Sequence, residues 1–247
     1  MNPFERFGLR QLSPSSLNLW TAAPGLWALR YLAGVRDDGN AAMWRGRAIE
    51  KGLGAWLLRP DKKSALDAAL AAFEDDAAGL ADEDTEDEHN LIEPMLEIAI
   101  ISCAALPSKL LTTQAKVEFW MCGIPIPVVG YLDFVFEDES FLELKSTKQC
   151  PSNPRPEHVR QVALYRKARK SPGTILYVTG KRAATFPIGD NETEVHVGEL
   201  RQAALSLQRF LSRCEQPSDA ILSLPMNASD FRWSEAASNK LAELQRS

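Results

Sequence analysis

Between Val129 and Lys145 the chain reads VGYLDFVFEDESFLELK, two apolar runs that each carry a carboxylate a folding core alone would not take. The first run, with Val128, Val129, Tyr131, Leu132, Phe134, Val135 and Phe136, is β-branched and aromatic and reads as a strand. Glu137-Asp138-Glu139-Ser140 breaks it with a polar turn, and Phe141-Leu142-Glu143-Leu144-Lys145 returns as a second strand. Period two on that strand puts Phe141, Glu143 and Lys145 on one face and Leu142 and Leu144 on the other. A hairpin closed by the turn brings Asp133 within reach of Glu143 and Lys145. Two ionised carboxylates repel and lose hydration when half buried, so they persist together where a cation, a shared proton or a hydrogen-bond network compensates. A hard divalent metal is the simplest compensator. The plainer reading is the polar face of an ordinary hairpin, with Glu143 and Lys145 as a weak solvated pair.

After a turn-rich segment from Ser146 to Pro156, the spacing predicts an amphipathic helix from Glu157 to Arg169. Gln161 and Tyr165 are i,i+4 neighbours on one of its faces. The same helix carries Arg160, Arg166, Lys167 and Arg169, a local basic density in a chain of net charge -5.

Taken together, G-Y-L-D ending at Asp133, E-L-K at Glu143 to Lys145 and Q-x-x-x-Y at Gln161 to Tyr165 resemble the PD-(D/E)XK nuclease superfamily, above all its RecB-type and phage-exonuclease branches. An E-x-K alone is a weak signal; the order on strand, strand and helix carries the likeness. The resemblance implies an α/β fold, a restriction-endonuclease-like core with a mixed central sheet flanked by helices, plus an N-terminal helical region. It implies that Asp133, Glu143 and the Leu144 carbonyl hold one or two Mg²⁺ or Mn²⁺ ions and that Lys145 orients or activates the attacking water. Gln161 and Tyr165 would position Lys145 or the scissile phosphate, or else form a core-facing helix pair. Upstream, Arg45-Gly46 followed by Glu50 matches the family helix whose His or Glu completes the metal shell, so Glu50 is a further ligand; alone it would read as a surface glutamate. Arg45, Arg47, Lys148, Arg160 and Arg166 are candidate phosphate contacts, or solvated charges.

The activity implied is that of a metal-dependent deoxyribonuclease, an exonuclease acting on DNA ends in recombination or repair as phage enzymes do. The implied partners are DNA, as linear duplex or single strand, and a single-strand annealing or binding protein. Ring-shaped trimers among the phage relatives raise a homo-oligomer. A structure-specific endonuclease, a non-catalytic DNA-binding or assembly subunit with a degenerate nuclease fold, and an unrelated α/β protein with a coincidental hairpin stay open as alternatives.

The length of 247 residues suits one nuclease domain, with a mainly helical part over 1–111 supplying Glu50, a catalytic core over 112–190 and C-terminal helices over 191–247. Net negative charge argues against a protein that coats nucleic acid, yet leaves room for a local basic groove. No apolar h-region or membrane-spanning run appears, so a cytoplasmic protein without membrane partners is expected. Cys103, Cys122, Cys150 and Cys214 are scattered without a CxxC pair, which disfavours zinc and disulfides and lacks the cysteine cluster of the iron-sulfur relatives. No Walker A loop indicates ATP binding.

Elsewhere, Ser13 and Pro14 start a helix, Pro24-Gly25 breaks it, and Leu26 to Leu32 forms another. Met43 to Leu58 is a helix with a stripe of Ile49, Leu53, Trp56 and Leu57; its glycines at 46, 52 and 54 suggest close approach of a neighbour. Helices follow over Asp61 to Leu80 and Asn90 to Ala105, the latter expected to bury Leu91, Met95, Ile98 and Ile101. The acidic run Asp82 to Glu88 reads as a solvated loop leading into a helix, and His89 as packing. Thr112 to Met121 is a strand whose Glu118 approaches the site in relatives, and Pro125 and Pro127 imply an edge or bulge. Strands over Thr174 to Thr179 and Ala183 to Ile188, a long helix from Asp190 to Arg213 and a tail helix over Ser234 to Gln245 complete the reading; His196 has no partner pattern.

Overall fold

The hairpin becomes the middle of a sheet. The computed structural model describes residues 2–36, 39–77, 83–230 and 232–246. Helices α1 (Pro3–Arg6), α2 (Pro14–Ala22), α3 (Pro24–Tyr31), α4 (Ala41–Leu58), α5 (Lys62–Ala77), α6 (Glu83–Asn90) and α7 (Ile92–Cys103) lead into strands β1 (Leu110–Phe119), β2 (Val128–Phe136) and β3 (Phe141–Ser146). Helix α8 (Pro156–Arg169) connects to β4 (Gly173–Val178) and β5 (Ala183–Pro187), and α9 (Asp190–Arg213), α10 (Pro217–Leu222) and α11 (Glu235–Leu244) follow. Among the described residues the strands form one five-stranded sheet in the order β1-β2-β3-β4-β5. Neighbours pair antiparallel except β3 and β4, which are parallel because α8 carries the chain back across the sheet. The fold is therefore the mixed α/β sheet flanked by helices that the motif order predicts.

Two apolar cores cover the sheet. One contains Trp27, Phe141, Val162, Tyr177 and Leu207; the other contains Ile49, Phe73, Met95, Phe134 and Leu142. Alternation along β3 feeds both, with Phe141 in the first and Leu142 and Leu144 in the second. Gly52 in α4 is required by packing, since a Cβ there would stand 2.8 Å from the Ala65 carbonyl oxygen and 2.9 Å from the Ala69 Cβ. The N-terminus of α2 is closed by a reciprocal capping box, Ser13 and Ser16 each accepting the other's amide at 3.0 Å.

Four expectations change. The acidic run is helix α6 rather than a loop, and its Thr85 and Glu88 are buried; Asp82, like the end of the helix read to Leu80, lies outside the described residues. In α7 the buried set is Ile92, Met95, Leu96, Ala99, Ile100 and Cys103, while Ile101 is 63% exposed, because a helix apolar on most sides does not define its own inward face by spacing. Pro125 and Pro127 precede β2 without making it an edge, and the irregular ladder lies in β1 between Leu110 and Thr112. His196 does find a partner, Glu199, at 2.9 Å. His89 packs edge-on against Phe73, and all four cysteines are free thiols. Among the described residues no helix is long and apolar enough to cross a membrane.

Candidate active site

Strands β2 and β3 pair as backbone only near the turn, at Phe134–Leu142 and Val135–Phe141. One step further, at Asp133 and Glu143, side chains replace the ladder. Glu143 Oε1 accepts from the Asp133 N–H at 3.3 Å, and Asp133 Oδ2 accepts from the Leu144 N–H at 2.8 Å. Beyond that point the strands part: β3 continues beside β4 as far as Ser146, and β2 beside β1 as far as Val128. The β2 edge that β3 abandons is taken by Leu12, whose N–H donates to the Pro127 carbonyl at 2.9 Å and whose carbonyl accepts from the Val129 N–H at 2.8 Å. Helix α2 begins two residues later, so the same pairing places it at the fork.

The fork admits groups from both sides of the sheet. From α8, Gln161 Nε2 donates to Glu143 Oε2 at 2.9 Å and to Tyr165 Oη at 3.2 Å. Lys145 Nζ donates to the same Glu143 oxygen at 3.1 Å. Tyr165 lies across Gly130, where any Cβ would overlap its ring; this close approach is the physical reason for glycine in the G-Y-L-D segment. From α4, Glu50 accepts a hydrogen bond from the Gln114 amide, which also reaches Asp133 Oδ1 at 3.5 Å.

These acids are held away from water, Glu143 being 0% and Asp133 9% exposed. Burial, then the Asp133 charge, pushes Glu143 up to about 8, and the same two causes in the same order carry Glu50 to about 7. Burial raises Asp133 also, opposed by Lys145 and the Leu144 N–H. For Lys145 burial favours the neutral amine, but the Glu143 and Asp133 charges prevail and its pKa is raised, so it stays an ammonium. Each acid is thus short of positive charge.

Three residues that the motif reading passed over stand here. Gln114 falls opposite Asp133, between the pairs Thr113–Phe134 and Ala115–Leu132, with a left-handed φ of 50° that turns its amide toward both acids. A lone glutamine in a polar strand gave no signal of this. Tyr177 Oη accepts from the Arg155 N–H at 3.0 Å and shares a hydrogen bond with His158 Nδ1, 2.6 Å away. Burial and the charges of Lys145 and Arg155 push His158 down to about 3, which leaves it neutral beside Lys145.

The other expected residues separate. Arg45 is only 3% exposed, ion-paired with the buried Glu88 and 3.3 Å from the Ser146 carbonyl; it ties α4 to α6 and β3 and does not offer its guanidinium to a phosphate. Arg166 turns away from the fork to Thr193 Oγ1 at 3.0 Å and Asp190 at 2.9 Å, fastening α8 to the start of α9. Glu118 sits opposite Val129, away from Asp133, and bonds Trp120 at 3.0 Å. Arg47 pairs with Asp76 at 2.7 Å, Lys148 with Glu88 at 2.8 Å, and Arg160 with Glu199 at 2.8 Å. Of the three, Arg160 shares a cavity with Lys145.

Among the described residues no three His, Cys, Asp or Glu side chains are spaced to hold an ion as they stand, and the Gln114 amide bridges Glu50 and Asp133. The donor chemistry suits a hard divalent cation: three carboxylates that burial drives toward the neutral acid are all acids a cation would return to the charged form.

The profile of the PD-(D/E)XK nuclease superfamily matches residues 11–243 of the chain. Its fold is similar to that of a candidate exonuclease from Eubacterium rectale, with a TM-score of 0.59 at 11% identity over 88% of this chain and 90% of that one. A looser likeness, TM-score 0.29 at 11% identity over 69% of this chain and 98% of that one, is to an alkaline exonuclease from Laribacter hongkongensis. Its complex with dAMP gives 0.36 at 10% identity over 69% and 94%. No curated protein matches the chain.

Proposed function

The chain belongs to the PD-(D/E)XK nuclease superfamily, and from that premise we propose that it is a divalent-metal-dependent deoxyribonuclease, an exonuclease acting on DNA ends in recombination or repair. The observation that carries this reading is the fork, where two desolvated carboxylates and one ammonium meet at the point where the strand ladder opens. The exonuclease branch is favoured by Gln161 and Tyr165 on one helix and by the similarity to the E. rectale protein described as an exonuclease.

Asp133, Glu143 and the Leu144 carbonyl would hold Mg²⁺ or Mn²⁺, with Glu50 added once Gln114 releases it. A bound ion of this kind lowers the pKa of water and neutralises charge developing on the phosphoryl oxygens, together worth several kcal/mol. The rest falls to the chain's own groups. Lys145, kept protonated by its carboxylate neighbours, is placed to donate to a non-bridging oxygen or to orient the attacking water. Gln161 donates to the same Glu143 oxygen as Lys145, so that carboxylate is held by two donors. Neutral His158, anchored by Tyr177, does not compete with Lys145 as an acid at neutral pH.

The test compares wild type with Lys145→Ala on linear duplex labelled at either end, on single strands and on closed circles, with Mg²⁺, Mn²⁺ or chelator. Loss of linear DNA by the wild type alone, and only with metal, is the expected result, and the end released first gives the polarity. Cleaved circles would move the assignment to an endonuclease, and equal activity in Lys145→Ala would sink it. The Gln114 amide between Glu50 and Asp133 is the feature that favours a non-catalytic DNA-binding subunit instead. Calorimetry decides between them, because that subunit takes up no Mn²⁺ dependent on Asp133.

A further inference from the structure

Two cavities meet beside the fork. The first, about 590 Å³, opens from Lys145 and Gln161 past Ser15 and Asn18 of α2 to Tyr31. The second, about 960 Å³, runs between Trp20 of α2 and the Arg209 and Arg213 face of α9. Thr21 and Arg160 line both, so they form one groove that starts at the candidate active site and leaves along α9.

Its walls are basic although the chain is acidic. Arg160 stands at the junction, and Arg30 and Arg232 line the first cavity, Arg232 being paired with Asp230 at 2.6 Å. On α9, Gln202, Ser206, Arg209 and Arg213 follow one another at spacings of four, three and four, which keeps them on one helical face over about 16 Å. Arg209 and Arg213 are exposed and have no ion pair among the described residues. Among the described residues the carboxylates lining the two cavities are Glu157 and Glu199, and Arg160 already neutralises Glu199. Tyr31 adds a second kind of contact: one face of its ring stacks on Trp27 at 5.4 Å, while the side chain is 40% exposed in the first cavity.

We propose that this groove is the track of one unpaired DNA strand, with phosphates against Arg160, Arg209 and Arg213 and a base stacked on Tyr31. The proposal rests on the nuclease reading above and names the form in which its substrate lies. A single strand fits where a duplex does not, because cavities of this size enclose a drug-sized ligand or a short stretch of one strand. The near-complete burial of Glu143 and Asp133 also requires a backbone that can be threaded to them. Anionic phosphates complement Arg209 and Arg213, which have no ion pair among the described residues, and an exposed aromatic side chain accepts any base.

The experiment measures anisotropy of a fluorescent oligothymidylate with the full chain in chelator, across a salt series, so that binding is read without hydrolysis. Arg209→Gln with Arg213→Gln is expected to weaken binding about fivefold or more and to lower the slope of log affinity against log salt by about 1.4, the loss of two phosphate contacts on a single strand. The Lys pair at the same positions restores the slope, and Tyr31→Ala weakens binding without changing it. Lys62→Gln with Lys63→Gln removes equal charge from the exposed start of α5 and leaves both quantities unchanged. Unchanged binding in the α9 variant, or an equal loss in the α5 variant, would each overturn the track. A wild type that binds the oligonucleotide with the expected arginine dependence but cleaves nothing with metal would leave the track standing and remove the nuclease reading.

Discussion

The two ends of the β2–β3 hairpin are built on opposite principles. Toward the turn, backbone pairs with backbone and the Phe134, Leu142 and Phe141 side chains close apolar cores on both faces. Toward Asp133 and Glu143, carboxylates accept the amide hydrogens and the strands part. The closed end is stable by burial. The open end holds desolvated acids whose ionised forms the fold disfavours, so it stores charge repulsion where the closed end stores contact. The lesson is that the same acids that split the sheet also supply its chemistry, and stability and activity are set against each other within one hairpin.

Asp133→Asn should separate the two most sharply. The amide oxygen can still accept from Leu144, but a buried charge beside Glu143 disappears. Cleavage is expected to fall by about 10³-fold, several kcal/mol of lost charge stabilisation, while the melting temperature in chelator rises. A variant both inactive and less stable would mean the open end is held by Asp133 as firmly as the closed end is held by its core.

A pair of glycine substitutions contrasts the ends directly. A Cβ at Gly173 would overlap the Phe141 ring on the closed side, and a Cβ at Gly130 would overlap Tyr165 on the open side. Both alanine variants should lose about 1–3 kcal/mol to overpacking, measured by denaturant unfolding. Only Gly130→Ala should also lower kcat, since Tyr165 carries Gln161 with it; equal kcat losses would erase the distinction.

The pH dependence of stability without metal should report the two acids most cleanly above about 6.5, where His158 is neutral in the folded and the unfolded chain. Glu143 moves from 4.5 unfolded to about 8 folded and Glu50 from 4.5 to about 7, so in that window the folded state holds protons that the unfolded chain has released. Stability therefore falls as pH rises, with the acids alone setting the slope from about 6.5 to about 8, by up to about 1.4 kcal/mol per pH unit for each proton, and Mn²⁺ should flatten the fall; below about 6.5 His158, lowered from 6.5 to about 3 on folding, opposes it. Thermal unfolding across that range in chelator and in Mn²⁺ checks the sign; a rise with pH in chelator would contradict the burial of these acids.

The smallest effect expected is at Gln114. Its amide bridges the acids, so Gln114→Ala should cost about 1 kcal/mol of stability in chelator yet strengthen Mn²⁺ uptake a few fold by removing a competing donor. Calorimetry showing weaker uptake would make Gln114 a support of the site instead of a competitor for it.

Much of this was readable along the chain because it depends on short-range alternation. The period of two in Phe141 to Lys145 put Glu143 and Lys145 on one face, and i,i+4 spacing put Gln161 and Tyr165 together; both arrangements occur in the fold. Arg45 and Arg166 defeated the same reasoning, since nothing near them in sequence announces Glu88 or Asp190 as partners. Gln114 was silent for a similar reason: its role comes from a register and a left-handed backbone, neither of which leaves a mark in residue type.

By itself, then, the sequence determined the strands, most of the longer helices and the family, because hydrophobic period, caps and motif spacing are local properties; the acidic helix α6 and the short α1 and α10 left no such signal. Tertiary structure alone decided that β2 and β3 fork at Asp133, that Leu12 fills the abandoned edge, and that α2, α8 and α9 line one groove beside it. Those choices depend on which distant segments exclude water from one another. Burial between them is non-directional and proportional to area, so it is settled only when the whole chain has packed.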